Sequence, residues 1–286
     1  VMPLMKLQGM PGTDVIVPSG GDRAAPGLNL GSLRAGSIKS QQGRPGAMSE
    51  SLGLAGWDVT SEKCRLMLTW QKVLGIDRFF AHGFFNSTEG VTNCEAPPDY
   101  GPRSPFLGGS CEMIRRLGEI EERLDGSHEE TPLAVLNSMP TYWSFAADME
   151  AGEMKRMRRS LWMSILAALQ AHVGLHVVDE PEISVSAGEP TVDVGRRSYG
   201  SVLIPAVRIV TAEAVAKLRT AAEAGAEIIW LGGGPRLVRT GSGNLETAPD
   251  LALGEWSHGE RTNVEIPVYN CGTVAARVTR PQLDNV

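Results

Sequence analysis

The sequence is poor in cysteine, and its cysteines are not arranged as metal sites or disulfide frameworks require. The four lie far apart in the 286 residues, as Cys64, Cys94, Cys111 and Cys271. No Cys-x-x-Cys pair is present, which argues against a zinc site and against a small fold held by disulfides. The cysteine pattern leaves the cellular compartment open.

The sequence also lacks an excess of positive charge and a long hydrophobic run. Its formal net charge is −6, so we expect neither nucleic acid nor an anionic membrane surface as the main partner. No stretch approaches the roughly 18 apolar residues of a membrane span, and the first residues lack a signal-peptide pattern. Because the chain starts with Val1 in loop-like sequence, we expect a longer polypeptide, and secretion or a periplasmic location then remains open.

The first half alternates short apolar strands with helical stretches. This alternation predicts a parallel sheet with helical crossovers. The strands are predicted at 13–18, 47–51 and 77–85, and the helices at 28–42, 60–75 and 110–126. In the second helix, Leu66, Trp70, Val73 and Leu74 recur at helical spacing and are predicted to share the buried face. A Pro- and Gly-rich loop at 96–109 is long enough to indicate a functional segment.

The second half repeats the alternation after a polar segment at 127–132. This segment predicts a boundary between a first domain over 1–127 and a second over 128–240, with a β-rich module or tail over 241–286. The pattern of the second domain predicts a small doubly wound α/β fold. Its strands are predicted at 133–138, 175–180, 201–210 and 226–233, and its helices at 155–174 and 211–225.

Polar side chains follow two neighbouring strands of the first half. Glu50 ends one strand and His82 ends the next, and chemistry in parallel α/β folds gathers where strands end. A carboxylate there suits glycoside hydrolysis, while Trp57 can stack on a sugar and Asn86 can bind its hydroxyl groups. The alternatives are a solvated loop glutamate, a structural histidine and a core tryptophan.

The second half offers weaker candidates. The acidic residues Asp179, Glu180 and Glu182 are predicted to form a solvated loop rather than a metal site. The glycines at 232–234 precede a proline instead of a helix, which favours a tight turn over a phosphate-binding loop. The strand that ends at 210 is followed by no cysteine, so amidotransferase chemistry is not expected.

Three segments resemble a known enzyme family. "GSIKSQQGRPGAMSESLGLAGWDVT", "WQKVLGIDRFFAHGFFNSTEG" and "APPDYGPRSPF" resemble, in this order, the late barrel segment of glycoside hydrolases of the α-L-rhamnosidase type, family 106. They resemble the β-galactosidases of family 42 more distantly. The resemblance covers roughly residues 5–235, because the second half looks like the flavodoxin-like, glutamine-amidotransferase-like domain that follows that barrel.

The resemblance implies a partial (β/α)8 barrel followed by a flavodoxin-like doubly wound domain. The three strands of the first half then correspond to barrel strands six to eight, with Glu50 as the catalytic carboxylate of strand seven. Trp57, Asp58, His82 and Asn86 would shape the sugar subsite. Glu50 would act as nucleophile, as general base or within a calcium site.

The chain departs from this family in one respect. The general acid conventionally follows barrel strand four, and strands one to five are missing here. Asp14, Asp22 and Asp58 are substitutes that do not match the missing position. We therefore expect part of a glycosidase acting on carbohydrate, with terminal α-L-rhamnosides as one substrate class, and a homo-oligomer through the flavodoxin-like domain. The alternative is a non-catalytic carbohydrate-binding or assembly protein that keeps the barrel rim.

Overall fold

The computed structural model describes residues 2–15, 30–85, 98–101, 107–124, 126–127, 129–144, 152–231, 237–239 and 245–247. Over these residues the chain is a mixed α/β protein with two main parallel sheets. The helices are α1 (Met2–Met5), α2 (Leu30–Gln42), α3 (Ser61–Val73), α4 (Leu107–Leu124), α5 (Met139–Trp143), α6 (Gly152–Gln170) and α7 (Ala212–Glu223).

The strands are short, and most follow the predicted positions. They are β1 (Gly12–Val15), β2 (Met48–Ser51), β3 (Arg78–Ala81), β4 (Leu133–Leu136), β5 (Leu175–Val178), β6 (Ile183–Ser184), β7 (Val192–Val194), β8 (Arg197–Tyr199), β9 (Ser201–Ile204), β10 (Ile209–Thr211), β11 (Glu227–Trp230), β12 (Leu237–Arg239) and β13 (Leu245–Thr247). The predicted strand over 201–210 is wrong in one respect, because Pro205 separates β9 from β10. Proline cannot donate to a strand ladder, which explains the interruption.

The first sheet contains β1, β2 and β3 in chain order, all parallel. Consecutive parallel strands in sequence order, each joined through a helix, are the repeating unit of a (β/α) barrel. One face of this sheet packs against helices. Val15 lies on that face in a cluster with residues of α3 and α4, among them Cys64, Leu68 and Met113.

Helix α3 begins after a capping threonine, but its buried face differs from the predicted one. The Thr60 side chain accepts a hydrogen bond from the Lys63 amide at 3.2 Å, which satisfies one of the free amides of the first turn. Leu66 and Val73 were predicted to be buried, and they are 53% and 67% exposed. The buried residues are Cys64, Met67, Leu68 and Gln71. The polar Gln71 belongs to this face because it hydrogen bonds Ser51 of β2, a contact that hydrophobic periodicity does not indicate.

The second sheet contains four parallel strands in the order β11-β9-β4-β5. Every residue of β4 and β5 is buried, as expected when helices cover both faces of a parallel sheet. Helix α6 connects β4 to β5, and α7 lies between β9 and β11. Thr211 caps α7 by accepting a hydrogen bond from the Ala214 amide at 3.2 Å.

Helix α2 connects the two sheets. Ile38 lies in a core cluster that contains Leu74 and Ile76 from the first sheet's side and Ile165 and Val177 from the second. Strand β5 is an edge of the second sheet. Side chains of α2 bind the backbone groups of β5 that do not pair with β4. The Val177 amide donates to the Ser37 hydroxyl at 2.9 Å, and the Gln41 side-chain amide donates to the Val177 carbonyl at 3.0 Å.

The acidic segment after β5 is not a solvated loop, so that prediction was wrong. Asp179 and Glu180 are buried in a one-turn 3-10 helix that leads into β6. The Glu180 carboxylate accepts a hydrogen bond from the Thr211 amide at 2.7 Å. Lys6 forms ion pairs with Asp179 at 3.5 Å and Glu182 at 3.0 Å. Each of the three acids therefore has at least one partner within the fold.

A small antiparallel sheet formed by β6, β7 and β8 follows this segment and was not predicted. A fourth sheet contains β10, β12 and β13, in which β12 pairs antiparallel with β13. The glycines at 232–234 and most of the predicted tail over 241–286 lie outside the described residues. Among the helices of the described ranges, none combines the length and apolar character needed to cross a membrane.

Candidate active site

Glu50 lies near the carboxyl end of β2, the middle strand of the first sheet. Ser49 and Ser51 on either side of it are buried, whereas Glu50 is exposed. Side chains alternate between the two faces of a strand, so the serines face the helices and the carboxylate lies on the opposite, open face. The Ser51 hydroxyl contacts Ser49 at 3.0 Å and the Gln71 side chain at 3.2 Å, which fixes the backbone on both sides of Glu50.

The strand register places one residue of each neighbouring strand beside Glu50. Asp14 of β1 and Phe80 of β3 are its direct partners, and both are exposed. Adjacent strands lie about 4.8 Å apart, so the three side chains form one lateral row across the open face. The candidate catalytic carboxylate of Glu50 therefore shares its face with the acid Asp14 on one side and the ring of Phe80 on the other.

His82 follows β3 and is half-buried. Its backbone amide donates to the Ser51 carbonyl at 2.9 Å, which extends the pairing of β2 and β3 beyond their ends. Its imidazole lies over Gly53, where an added Cβ atom would approach the His82 ring to 3.5 Å. The buried Nδ1 atom has no hydrogen-bond partner among the described residues. His82 thus lies two residues beyond Phe80, the register partner of Glu50, at the carboxyl end of the same sheet.

Trp57 and Asp58 lie on the loop between β2 and α3, and both are exposed. Trp57 is 46% exposed, so the alternative of a core tryptophan is wrong. The loop itself is well packed, because Leu52, Ala55 and Val59 are buried in one cluster. The sequence therefore presents Trp57 from a fixed loop at the same end of the sheet as Glu50.

A buried segment, Pro98–Gly101, supports both loops of this edge. The Tyr100 amide donates to the Gly83 carbonyl at 3.0 Å, and its hydroxyl lies 3.5 Å from the Leu52 carbonyl. Burial raises the pKa of Tyr100 strongly, and the neighbouring Cys64 thiol adds to this effect, so the hydroxyl stays protonated and can donate. This segment falls in the Pro-rich loop that the sequence singled out as functional, but nothing in the sequence indicated its contacts.

Two of the sequence candidates cannot be placed. Asn86 and Asp22 lie outside the described residues. Within the described ranges, no group of three or more His, Cys, Asp and Glu side chains is arranged to hold a metal ion. Glu50 and Asp14 alone supply too few ligands for calcium, which takes six to eight oxygens. The described residues therefore do not form a calcium site by themselves.

Sequence comparison finds no counterpart for this chain. No protein-family model matches it, and no curated protein matches it either.

Structural comparison does find counterparts, and they are glycosidases. A rhamnosidase from Novosphingobium sp. PP1Y superimposes with a TM-score of 0.57 at 11% identity, over 82% of this chain and 22% of that one. A catalytic glutamate-to-alanine mutant of a GH42 β-galactosidase from G. stearothermophilus gives 0.58 at 14% identity, over 80% and 33% of the two chains.

A β-galactosidase from the haloarchaeon Halorubrum lacusprofundi gives a TM-score of 0.50 at 20% identity, over 73% of this chain and 30% of that one. The chain thus spans between a fifth and a third of the length of these structures. The described part of the chain therefore shares its α/β fold with one portion of much longer glycoside hydrolases.

Proposed function

We propose that this chain is part of a glycoside hydrolase and that Glu50 is its catalytic carboxylate. The observation that carries the proposal is the position of Glu50. It is exposed near the carboxyl end of the middle strand of a parallel sheet, within a fold shared with glycosidases. Active sites of (β/α)8 enzymes lie at this end of the strands, and a catalytic glutamate is known in one of the structural counterparts.

Two roles of Glu50 are consistent with this position. In a retaining reaction its carboxylate attacks the anomeric carbon while a second carboxyl group protonates the departing glycosidic oxygen, and water then hydrolyses the glycosyl-enzyme. In an inverting reaction Glu50 instead takes a proton from the water that attacks the anomeric carbon. The anomeric configuration of the first product, observed by proton NMR, distinguishes the two roles.

The second carboxyl group, in this proposal, comes from barrel strands outside this chain. Two observations support this. The open face of the first sheet carries exposed Asp14, Glu50 and Phe80, although parallel sheets are normally covered on both faces. Among the described residues, β1 and β3 each pair with β2 alone, and a closed barrel would use both edges. Asp14 neighbours Glu50 but lies on an adjacent strand rather than across the barrel.

We further propose that the second sheet belongs to a flavodoxin-like domain. Numbered along the chain, β4, β5, β9 and β11 are strands 1 to 4 of this sheet. Across the sheet they follow the order β5-β4-β9-β11, or 2-1-3-4. This is the strand order of flavodoxin-like folds. Ligands of such folds bind between the loops that follow the first and third strands. Here Ser138, which caps α5 after the first strand, and Thr141 of α5 both hydrogen bond the Ile209 carbonyl beyond the third strand, at 2.7 and 2.9 Å.

These contacts leave a cavity of only about 10 Å³ between Ser138, Thr141, Ala206 and Val207, enough for about one water molecule. A nucleotide does not fit there. The proposed role of this domain is therefore structural, as a support for α2 and the barrel strands, and self-association through it is part of the same proposal.

The test is Glu50→Gln in the full-length protein. The substitution keeps the shape of the side chain and removes its charge, so we expect hydrolysis to fall by about two to four orders of magnitude or more with an unchanged thermal transition. The substrates are p-nitrophenyl α-L-rhamnopyranoside and p-nitrophenyl β-D-galactopyranoside. Glu122→Gln on the exposed face of α4 is the matched control and should leave kcat unchanged.

The rival, a non-catalytic carbohydrate-binding or assembly protein, gives a different result. In that case Glu50→Gln has little effect on sugar binding, the wild-type protein hydrolyses neither substrate, and Trp57→Ala weakens binding in calorimetry. Hydrolysis of the rhamnoside but not the galactoside by the wild-type protein would assign the substrate class.

A further inference from the structure

Phe84 is an exposed aromatic side chain on a turn that is held by hydrogen bonds. Its ring is 69% exposed, although the turn that carries it is fixed on both sides by hydrogen bonds. The Gly83 carbonyl accepts from the Tyr100 amide at 3.0 Å. The Phe85 amide donates to the Asp99 carboxylate at 3.2 Å.

The Asp99 carboxylate that holds this turn is itself buried. Its Oδ1 atom accepts hydrogen bonds from the amides of Phe85, at 3.2 Å, and Gly101, at 2.8 Å. A buried carboxyl group is costly unless it is hydrogen bonded. The bond from Gly101 is local to the supporting segment, and the bond from Phe85 ties the Phe84 turn to that segment. The fold therefore uses the buried Asp99 side chain to fix the backbone beneath a solvent-facing ring.

The surroundings of Gly101 show how closely the Phe84 ring packs against the 98–101 segment. A Cβ atom at this position would lie 2.9 Å from Asp99 Oδ1 and 3.4 Å from Phe84 Cδ1. The absence of a side chain at Gly101 thus allows the segment to lie directly against the ring. Both the position and the orientation of Phe84 depend on residues that are distant from it in sequence.

The Phe84 ring lies at the same end of the first sheet as Glu50. Phe84 lies three residues beyond the end of β3, and Trp57 lies on the loop after β2. The Tyr100 hydroxyl contacts the Leu52 carbonyl of that second loop, so one buried segment supports both loops. Phe80, in contrast, lies within β3 and in register with Glu50, where further barrel strands would cover it.

We propose that Phe84 is an aromatic platform for the pyranose ring of the substrate, and that Asp99 is the residue that positions it. The proposal rests on the glycosidase function proposed above and adds a substrate-binding residue to that site. The face of an aromatic ring is electronegative and suits the C–H groups on the apolar face of a sugar. A ring fixed before the ligand arrives loses little conformational freedom on binding.

The test measures binding and hydrolysis separately in the full-length protein. Titration calorimetry with L-rhamnose and with D-galactose, on the Glu50→Gln background, reports binding without turnover. We expect Phe84→Ala to weaken binding of the recognised sugar by about tenfold, Phe84→Leu to weaken it nearly as much, and Phe84→Trp to restore it. With Glu50 intact, Phe84→Ala should raise KM more than it lowers kcat. Ile114→Ala removes an equally exposed apolar side chain from α4 and should change nothing.

A second pair of variants tests the positioning role of Asp99. Asp99→Asn retains an oxygen acceptor for the two amides and should bind sugar within about twofold of the parent. Asp99→Ala removes the acceptor and should raise KM to the level of Phe84→Ala. Restoration by asparagine shows that the hydrogen bonds, and not the charge, fix the turn.

Several outcomes overturn the proposal. If Phe84→Ala lowers the thermal transition but leaves binding and KM unchanged, the ring packs against other barrel segments and is not a platform. If Phe84→Ala binds normally while Glu50→Gln abolishes hydrolysis, the glycosidase function stands and the platform is wrong. If the wild-type protein neither binds nor hydrolyses either sugar, both proposals fail together.

Discussion

The two parallel sheets of this chain differ in how their faces are covered. In the second sheet every residue of β4 and β5 is buried, and its edge strand β5 is bound by Ser37 and Gln41 of α2. In the first sheet one face packs on helices, while Glu50 and its register partners are exposed on the other. One sheet is enclosed and the other is open.

The strand sequences explain the difference. Strands β4 and β5 read "LAVL" and "LHVV", the nearly continuous apolar runs of a sheet covered on both sides. Strand β2 reads "MSES". Its buried serines are small and allow helices to approach one face closely. Its glutamate lies on the opposite, open face. The enclosed sheet therefore contributes stability, and the open sheet carries the groups suited to chemistry.

Removing a core side chain that both sheets share should have the largest effect on stability. Ile38 of α2 is fully buried between them, and Ile38→Ala should lower the free energy of unfolding by about 2–5 kcal/mol. Urea titration measures the loss, and hydrogen exchange of β2 and β5 peptides locates it. Leu66→Ala, at an exposed site on α3, should change stability by less than about 0.5 kcal/mol. Faster exchange in β2 alone would show that α2 does not join the two sheets energetically.

Cutting the contact between α2 and the edge of the enclosed sheet should have the next largest effect. Gln41→Leu removes the donor to the Val177 carbonyl and to the Tyr199 hydroxyl. A buried group left without a partner costs about 1–3 kcal/mol, which chemical denaturation can measure. Gln42→Leu, one residue further along and partly exposed, is the control. Equal losses in the two variants would mean that the edge of β5 does not depend on Gln41.

The sequence predicted most of the enclosed sheet, apart from the break at Pro205 that separates β9 from β10. Its apolar runs placed β4 and β5 within a few residues, and the helical pattern over 211–225 did the same for α7. The small sheet of β6–β8 was missed because its strands have only two or three residues each, too few for any periodicity. The acidic segment was misjudged because the partners of Asp179 and Glu180 are Lys6 and Thr211, both far away in sequence.

For the open sheet, the sequence located the candidate site but not its support. Glu50, Trp57 and His82 follow or end strands, which a linear pattern can show. Phe84 and Asp99 could not be found in this way, because they meet only when the 98–101 segment folds against the turn after β3. The same reason accounts for the error at Leu66. Its helix docks through Gln71, whose partner Ser51 lies 20 residues earlier.

The helix caps allow a matched comparison between the open and enclosed sheets. Thr60 caps α3 and Thr211 caps α7, each by a bond of 3.2 Å to an amide three residues on. Replacement of either by alanine should lower the stability of its helix by about 1 kcal/mol. The helix would then open roughly five times more often, and its amides would exchange roughly fivefold faster. Ser61→Ala, next to the cap, should cost only a few tenths. A much larger effect at Thr60 would show that α3 relies on its cap because the first sheet is less well packed.

The smallest expected effect is a pH dependence at the junction of the two sheets. Glu129 accepts hydrogen bonds from Ser40 of α2 at 2.7 Å and from Arg197 at 2.9 Å, and it contacts the imidazole of His176 at 3.2 Å. Partial burial opposes its ionisation, but the contact with His176, the Ser40 bond and the charge of Arg197 outweigh it and lower the pKa of Glu129 to about 2.

A carboxylate whose pKa is lower in the folded state stabilises the fold when ionised. This contribution is complete above the ordinary value of 4.5 and is lost as the pH falls from there toward 2. Because the side chain of Glu129 is 41% exposed, solvent screening limits the effect to about 1 kcal/mol or less. The measurement is urea unfolding at pH 6 and pH 3 for the wild type and Glu129→Gln.

The advantage of the wild type over Glu129→Gln should be smaller at pH 3 than at pH 6, because pH 3 lies between the unfolded and the folded pKa of Glu129. Glu122→Gln on exposed α4 controls for the general loss of carboxylate charge and should follow the wild type at both pH values. An advantage that persists unchanged at pH 3 would mean that the ionised form of Glu129 does not help to hold α2 against the second sheet. The junction would then depend on the shared apolar core and on the Gln41 contact alone.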